Sequence, residues 1–360
     1  MRRWFLLLVL VAAACASFWW IGLPTPMLFG GLAGALVYAL ARPGEPLSLT
    51  PAAFTLAQAS VGVVVGTSIE WAGLVELGPR WMIVVIVSVF SLVVSVFVGQ
   101  LLIRRGATPV TATFSSIAGG AAGLTAMADD LGADARVVAV LQYLRLLVVL
   151  VTMPIVVGVV FGATSDGIGL DVELEPWPVA VLFVALAAAV GLWLGKVTKM
   201  PSAAILGPLA VASLLTLVPL FDGVRVPEPI QAAGYLVIGV QIGLRFTVAS
   251  LRSIGRMVPV ALFSIVVTLL ACAGLAWVLV LTTDASPLDA YLATTPGGIY
   301  AVMGTSAATG GDVTFVAATQ VLRLLIVLAS APLLAAVLRR RHAVPDMSEG
   351  DGAPGAEGVA

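Results

Sequence analysis

Apolar stretches close to the length of a membrane helix recur along the chain, and short connections carry most of the charged residues. A helix needs about 20 predominantly apolar residues to cross a bilayer. The stretches form two sets of six, which fall at 4–22, 25–41, 52–69, 81–103, 110–128 and 135–162, and at 178–195, 202–220, 230–246, 257–282, 289–308 and 313–338. This pattern predicts an all-α polytopic membrane protein.

A long motif occurs twice without a gap, which indicates two internal repeats. Residues 119–154 align with residues 297–332 at a constant offset of 178, with the shared pattern G-G-x11-G-x-D-x7-Q-x2-R-x8-P. The matched residues are Gly119/Gly297, Gly120/Gly298, Gly132/Gly310, Asp134/Asp312, Gln142/Gln320, Arg145/Arg323 and Pro154/Pro332. We predict a membrane repeat at 1–162, an external acidic linker at 163–177, a second membrane repeat at 178–341 and a disordered tail at 342–360.

The charges in the short loops predict the topology. Arginine and lysine favour the cytoplasmic side, which places Arg104–Arg105 and Arg339–Arg341 inside, and the acidic linker and the Asp284/Asp289 loop outside. In each half, two apolar segments lie between an inside and an outside marker, although the number of crossings there must be odd. We therefore predict about ten spanning helices, two re-entrant or broken segments at 110–128 and 289–308, and inverted repeats. In the alternative, all twelve segments cross, the repeats are parallel and the linker lies inside.

Glycine and proline mark these two segments as candidates for broken backbone. Non-helical backbone at membrane depth is tolerated only where protein buries it or where it lines a cavity. The candidate broken-backbone elements are Gly119, Gly120, Gly132, Pro296, Gly297, Gly298 and Gly310. Half-helix N-termini at such a break would suit an anionic group, and free carbonyls would suit a cation.

Composition excludes several classes of protein. Hydrophobic residues make up 60% of the chain and charged residues 10%, with a mean hydropathy of +1.11, whereas soluble domains carry about 25% charged residues. The net charge of −1 leaves no basic footprint for nucleic acid. The single histidine, His342, lies after the last apolar segment, and Cys15 and Cys272 lie within apolar runs. We therefore expect no metal site, no cofactor and no enzymatic activity.

The deep polar residues of the doubled motif are the candidate functional site. Placing an ionisable residue inside a membrane segment costs free energy, so such a residue is by default a candidate for a functional role. The candidates for binding or gating are Asp134, Gln142, Arg145, Asp312, Gln320 and Arg323. In inverted repeats, each aspartate could approach the arginine of the other half and form a crossed pair that an ion opens. In the competing interpretation, the aspartates only cap the last helix of each half.

The same residues carry a family resemblance. The T-P-G-G sequence at 295–298, the G-x-D-x7-Q-x2-R run at 310–323 and the stretch 234–243 resemble the bacterial AbrB-type membrane protein family, over residues 5–340. Members of that family bear labels such as AbrB family transcriptional regulator and ammonia monooxygenase. The first half departs from T-P-G-G, with Ile117-Ala118-Gly119-Gly120. The sequence supports neither label as an activity of the chain itself, because a copper monooxygenase needs nitrogen ligands and a DNA-binding regulator needs a basic soluble domain.

Two functions are compatible with these observations. The first is secondary transport of a small solute or ion by alternating access at a midplane site, since duplicated membrane chains with glycine-interrupted segments are typical of transporters. The alternative, which the resemblance implies, is a membrane regulatory or sensor protein that influences gene expression indirectly. Either protein would be multi-pass in the bacterial inner membrane, with both termini cytoplasmic. Its partners would be the lipid bilayer and no nucleic acid, and an oligomer is compatible with the sequence.

Overall fold

The computed structural model is entirely helical in the part of the chain that it describes. The described residues are 2–42, 47–69, 81–118, 131–163, 177–200, 202–221, 223–246 and 254–342, with single residues at 78, 124, 128, 248 and 252. No strand occurs among them, which confirms the all-α prediction. Gly119, Gly120, almost all of the predicted linker and nearly all of the predicted tail lie outside the described residues.

Thirteen α-helices lie within the described ranges. In the first half they are α1 (Arg2–Trp20), α2 (Pro26–Ala41), α3 (Pro51–Thr67), α4 (Trp81–Gly99), α5 (Pro109–Ser116) and α6 (Ala135–Val159). In the second half they are α7 (Trp177–Val197), α8 (Ala203–Leu215), α9 (Glu228–Leu244), α10 (Val258–Thr282), α11 (Pro287–Thr294), α12 (Ile299–Ala308) and α13 (Val313–His342). Short 3₁₀ segments follow α4 at Gln100–Arg105 and α8 at Pro219–Phe221.

Six of the described helices are long and apolar enough to cross a membrane. They are α1, α4 together with the 3₁₀ segment after it, α6, α7, α10 and α13 up to Leu334. The other four predicted crossings contain α2, α3, α8 and α9, which have 16, 17, 13 and 17 residues. The chain is thus a polytopic membrane protein. Crossings beyond the six long helices, and the inverted orientation of the repeats, stay predictions.

A hydroxyl residue followed by proline fixes the start of three helices. Thr50, Thr108 and Ser286 cap α3, α5 and α11, and each side-chain oxygen accepts the backbone N–H three residues further on. Such a cap satisfies one of the amides that the first turn leaves free. Proline suits the first helical position because its missing N–H has no partner there anyway. The short helices α5 and α11 therefore begin at corresponding places in the two halves.

Helix contacts divide the described fold into two bundles. The glycine-packed bundle consists of α1, α2, α3, α7, α8 and α9, and the motif bundle consists of α4, α5, α6, α10, α11, α12 and α13. Each bundle draws helices from both halves of the chain, because α2 packs on α9, α3 packs on α8 and α4 packs on α10. The two halves are therefore interleaved.

Glycines allow neighbouring helices of the glycine-packed bundle to come so close that their backbones are in contact. A Cβ at Gly62 would lie 2.5 Å from the Ile205 carbonyl oxygen, and one at Gly239 would lie 2.1 Å from the Leu28 carbonyl oxygen. Helix association in lipid depends on van der Waals packing, and small residues at an interface make close packing possible. The α3–α8 and α2–α9 contacts of this bundle thus leave no room for a larger residue.

Candidate functional site

The predicted broken segment at 289–308 is interrupted in the structure. The helix α11 ends at Thr294, residues 295–298 have non-helical backbone, and α12 begins at Ile299. A Cβ at Gly298 would lie 3.0 Å from Leu146 Cδ1, and one at Gly297 would lie 3.2 Å from Val149 Cγ1. The two glycines therefore let the break lie directly against α6, a helix of the other half.

The corresponding segment of the first half also stops being helical at the expected place. The helix α5 ends at Ser116, and Ile117 and Ala118 are non-helical. Gly119 and Gly120, which were predicted to continue this break, lie outside the described residues.

Gln320 and Arg323 bind the carbonyl end of α11. Gln320 Nε2 donates to the carbonyls of Leu292, Ala293 and Thr295 at 2.8, 3.2 and 3.2 Å. Arg323 Nη1 donates to the carbonyls of Thr294 and Thr295 at 2.9 and 3.1 Å, and its Nη2 donates to Gln320 Oε1 at 2.5 Å. The last carbonyls of a helix have no partner within the helix. These two side chains supply the donors that a bilayer cannot provide.

Gln142 and Arg145 make the same contacts at the end of α5. Gln142 Nε2 donates to the carbonyls of Phe114 and Ile117 at 2.5 and 3.1 Å. Arg145 Nη1 donates to the carbonyls of Ser116 and Ile117 at 3.1 and 2.5 Å, and its Nη2 donates to Gln142 Oε1 at 2.5 Å. These acceptors lie 178 residues before their counterparts in α11. The doubled Q-x2-R element is thus a side-chain cap for a half-helix C-terminus, where a cation is also favoured by the helix dipole.

All four capping side chains are buried within the protein. Gln142, Arg145, Gln320 and Arg323 are 0%, 5%, 1% and 3% exposed. The two guanidiniums lie within electrostatic range of each other. The Nε atom of each one is buried and lacks a hydrogen-bond partner. The protein therefore holds two buried guanidiniums inside the motif bundle, each with one unused donor.

Both aspartates of the motif cap helices. Asp134 Oδ1 accepts the backbone N–H groups of Arg136 and Val137 at 3.0 and 3.1 Å, and Asp312 Oδ1 accepts that of Phe315 at 2.9 Å. The preceding Gly132 and Gly310 have φ of +79° and +66°, in the left-handed region that favours glycine. The G-x-D element is therefore a glycine turn followed by an N-cap.

The crossed aspartate–arginine pairs are a wrong prediction for this structure. Within the described residues, the hydrogen bonds of both guanidiniums go to main-chain carbonyls and to glutamine. Both carboxylates accept backbone amides instead. The physical reason is that the end of a half-helix already presents carbonyl acceptors, so the arginines need no carboxylate.

Sequence reasoning missed the partner of each G-x-D turn. The backbone N–H of Asp134 donates to Thr111 Oγ1 at 2.9 Å, and that of Asp312 donates to Asp289 Oδ1 at 2.9 Å. Thr111 and Asp289 are the third residues of α5 and α11, and they too lie 178 residues apart. Extending the repeat alignment back to the two hydroxyl–proline helix starts would have found this pair. It ties the start of α6 to α5, and that of α13 to α11.

Polar and aromatic side chains meet where the two bundles face each other. Gln58 Nε2 of α3 donates to Tyr300 Oη of α12. The Arg245 guanidinium, just after α9, lies 4.8 Å from the ring centroid of Tyr143 in α6 and 5.7 Å from that of Phe54 in α3, within the range of cation–π attraction. Gln58 and Arg245 lie outside the doubled motif, so the sequence did not identify them as candidates. Polar and aromatic side chains thus add to the apolar packing across this boundary.

Metal binding finds no support in the described residues. No group of three or more His, Cys, Asp or Glu side chains in that part of the chain could hold a metal ion. Cys15 and Cys272 are buried and free.

Comparisons with known proteins agree with the family resemblance that the motif carries. The family model described as "Transition state regulatory protein AbrB" matches residues 27–339. The chain is 33% identical over 336 residues to "Putative regulator AbrB" of Escherichia coli (strain K12), which covers 92% of this chain and 95% of that protein. It is 24% identical over 349 residues to "Uncharacterized protein YhjN" of Bacillus subtilis (strain 168), which covers 89% of each chain.

Proposed function

The chain belongs to the AbrB family, and from this premise we propose that it is a secondary transporter of a small solute or ion that works by alternating access. The observation that carries the proposal is the buried break between α11 and α12, whose carbonyl end is capped by Gln320 and Arg323. Broken helices inside a membrane bundle are the usual setting of substrate and ion sites in transporters. The proposal assigns no catalytic step to the chain.

The two bundles provide elements that can shift relative to each other. Direct contacts between helix backbones, such as that of Gly62 with Ile205, resist sliding of one helix against another within the glycine-packed bundle. The boundary between the bundles combines apolar packing with the Gln58–Tyr300 hydrogen bond and the cation–π contact of Arg245 with Tyr143. We propose that the motif bundle moves against the glycine-packed bundle and carries the break from one side of the membrane to the other. We place the protein in the bacterial inner membrane with both termini in the cytoplasm.

A reversible cross-link tests this proposal. In a chain whose Cys15 and Cys272 are replaced, Gln58→Cys and Tyr300→Cys would be joined by a short bifunctional thiol reagent with a reducible bond. Flux would be measured in proteoliposomes as currents on a solid-supported membrane, with chloride, acetate, glutamate and alanine as probes, each under a sodium or proton gradient. We expect the cross-link to abolish the flux of the transported probe and reduction to restore it.

The matched control joins two positions within one bundle. The backbone N–H of Leu49 donates to Gln241 Oε1 at 3.3 Å, so Leu49→Cys and Gln241→Cys link the start of α3 to α9 without spanning the boundary. This cross-link should leave flux intact. Undiminished flux in the fully cross-linked Gln58→Cys/Tyr300→Cys protein, or no flux of any probe in the uncross-linked one, would count against transport.

The names of the relatives favour regulation as a second candidate function. The family model is described as a regulatory protein, and the Escherichia coli relative is called a regulator. The sequence has no basic soluble domain, so such a role would act indirectly from the membrane. Transcript profiles of a deletion strain, complemented with wild-type protein or with a flux-deficient variant, separate the two. Full rescue by the flux-deficient variant would favour regulation without transport.

A further inference from the structure

A small cavity lies beside Arg145, where α5, α6 and α10 meet. Its polar lining consists of Arg145, Ser115, Ser116, Ser264 and Thr268, and its apolar lining consists of Leu102, Leu141, Ala261 and Ile265. The cavity volume is about 20 Å³. A water molecule needs roughly 10–15 Å³ on such a measure. The cavity therefore has room for an occupant of about the size of one water molecule or one monatomic ion.

Two buried donors in the lining of this cavity lack partners. Arg145 Nε and Ser115 Oγ are buried and have no hydrogen-bond partner, and the two residues are 5% and 4% exposed. Two of the neighbouring hydroxyls are occupied, since Ser116 Oγ donates to the Ala112 carbonyl and Thr268 Oγ1 donates to the Ser264 carbonyl. Leaving a buried donor unpaired is costly, more so for a charged group. An acceptor in the cavity would satisfy both groups.

The local charge favours an anion over a water molecule as this acceptor. Arg145 has no carboxylate partner among the described residues, and the groups that act on it electrostatically are the like-charged Arg323 and the buried thiol of Cys272. Each half-helix C-terminus contributes about half a negative charge. Two guanidiniums against two such termini leave about one positive charge on the two caps taken together. A monatomic anion would neutralise that charge and accept both free hydrogen bonds.

We propose that this cavity binds one chloride-sized anion through the Nε–H of Arg145 and the hydroxyl of Ser115. The second half provides no equal site, because the residue that corresponds to Ser115 is Ala293. One anion per chain is therefore expected. This site does not depend on transport, so binding without flux would leave it standing while removing the proposed function.

Halide-dependent stability of the full-length protein in detergent tests the site. The unfolding temperature would be followed by tryptophan fluorescence as sodium bromide replaces sodium gluconate, which is too large for the cavity, at constant ionic strength. We expect a saturable rise with bromide and with chloride. Ser115→Ala removes one hydrogen bond to the anion and should weaken bromide binding roughly tenfold. Ser115→Thr keeps a hydroxyl and should restore most of the affinity.

The matched control is Ser95→Ala. Ser95 is a fully buried serine of α4 whose hydroxyl donates to the Ser91 carbonyl, outside this cavity, and its removal should leave bromide affinity unchanged. Anomalous scattering from wild-type crystals grown in bromide locates the ion directly, even if Ser115→Ala does not fold. Stability that is the same in bromide and gluconate, or crystals grown in bromide without bromide density beside Arg145, would overturn the proposal.

Discussion

The buried arginines of the motif are stabilised by main-chain atoms. A charged side chain at the centre of a bilayer costs about 2.5–3.5 kcal/mol on insertion scales, and Arg145 and Arg323 offset this cost by capping half-helices. The sequence predicted these residues as polar groups inside membrane segments, and the structure shows them buried within the protein. It could not predict their acceptors, because a carbonyl group belongs to every residue type and leaves no mark on the sequence. The carboxylates of the motif were the acceptors that the sequence did show, and they led to the prediction of crossed pairs.

Removing a capping guanidinium should destabilise the fold strongly. Arg323→Met keeps the length of the side chain but leaves the carbonyls of Thr294 and Thr295 without this donor, at an expected cost of about 3 kcal/mol in the free energy of unfolding. Arg323→Lys should lose less, since it keeps the charge but not the fork of donors. Unfolding in mixed micelles measures both. Arg245→Met is the control, and equal stability of Arg323→Met and wild type would refute the capping role.

The motif aspartates should behave as caps. Asp312→Asn keeps an oxygen for the Phe315 amide and should change the free energy of unfolding by less than about 0.5 kcal/mol, whereas Asp312→Ala should cost about 1 kcal/mol. Flux in proteoliposomes should survive in the Asn variant. Normal folding with loss of ion-dependent flux would instead assign the carboxylate to coupling. Asp134→Asn provides the same comparison in the first half.

At the scale of helices, apolar length and loop charge predicted most elements. Each of the ten predicted crossings contains a helix, and the odd crossing count identified 289–308 as broken. The positions of the ends were less predictable, because apolar composition does not stop at a helix end. The predicted segment 202–220 contains an α-helix only at Ala203–Leu215, before Pro219 starts a 3₁₀ segment. The close helix pairs depend on which glycines face each other, which spacing alone did not reveal.

A glycine at a close helix contact should not tolerate a methyl group. In Gly62→Ala the new Cβ would lie 2.5 Å from the Ile205 carbonyl oxygen, so α3 and α8 must separate, at a cost of about 1–3 kcal/mol. Gly274→Ala in α10 is the matched control, because nothing lies within 4 Å of its added Cβ. It should be neutral or stabilise by up to about 1 kcal/mol. Thermal unfolding of both variants provides the measurement, and a neutral Gly62→Ala would contradict the close packing.

At the scale of the whole molecule, the family and the membrane class were predictable, and the division into bundles was not. The doubled motif and hydropathy were sufficient for the first two, and the family is confirmed by the match over residues 27–339. Two consecutive repeats suggest two consecutive bundles. Instead the halves interleave, because α2 packs on α9 and α4 packs on α10. Such long-range pairing depends on complementary surfaces that lie far apart in the sequence.

The sidedness of the central linker tests the predicted inversion. A single cysteine at Ser165, with Cys15 and Cys272 replaced, would be labelled in intact cells with a membrane-impermeant thiol reagent. We expect labelling without permeabilisation, because the positive-inside rule places the acidic linker outside. Labelling that requires permeabilisation, with expression confirmed, would mean parallel halves.

The capping of α11 by α13 also has a consequence for biosynthesis. The eight-residue helix α11 leaves the ribosome before Gln320 and Arg323 have been synthesised, and so short a helix is marginal on its own. Lipid tails offer no hydrogen-bond donor to its free carbonyls, so the helix could not be buried in the bilayer at that stage. The half-helix must therefore remain at the insertion machinery or the membrane surface until α13 has been synthesised. The last helix of each half thus completes the insertion of that half.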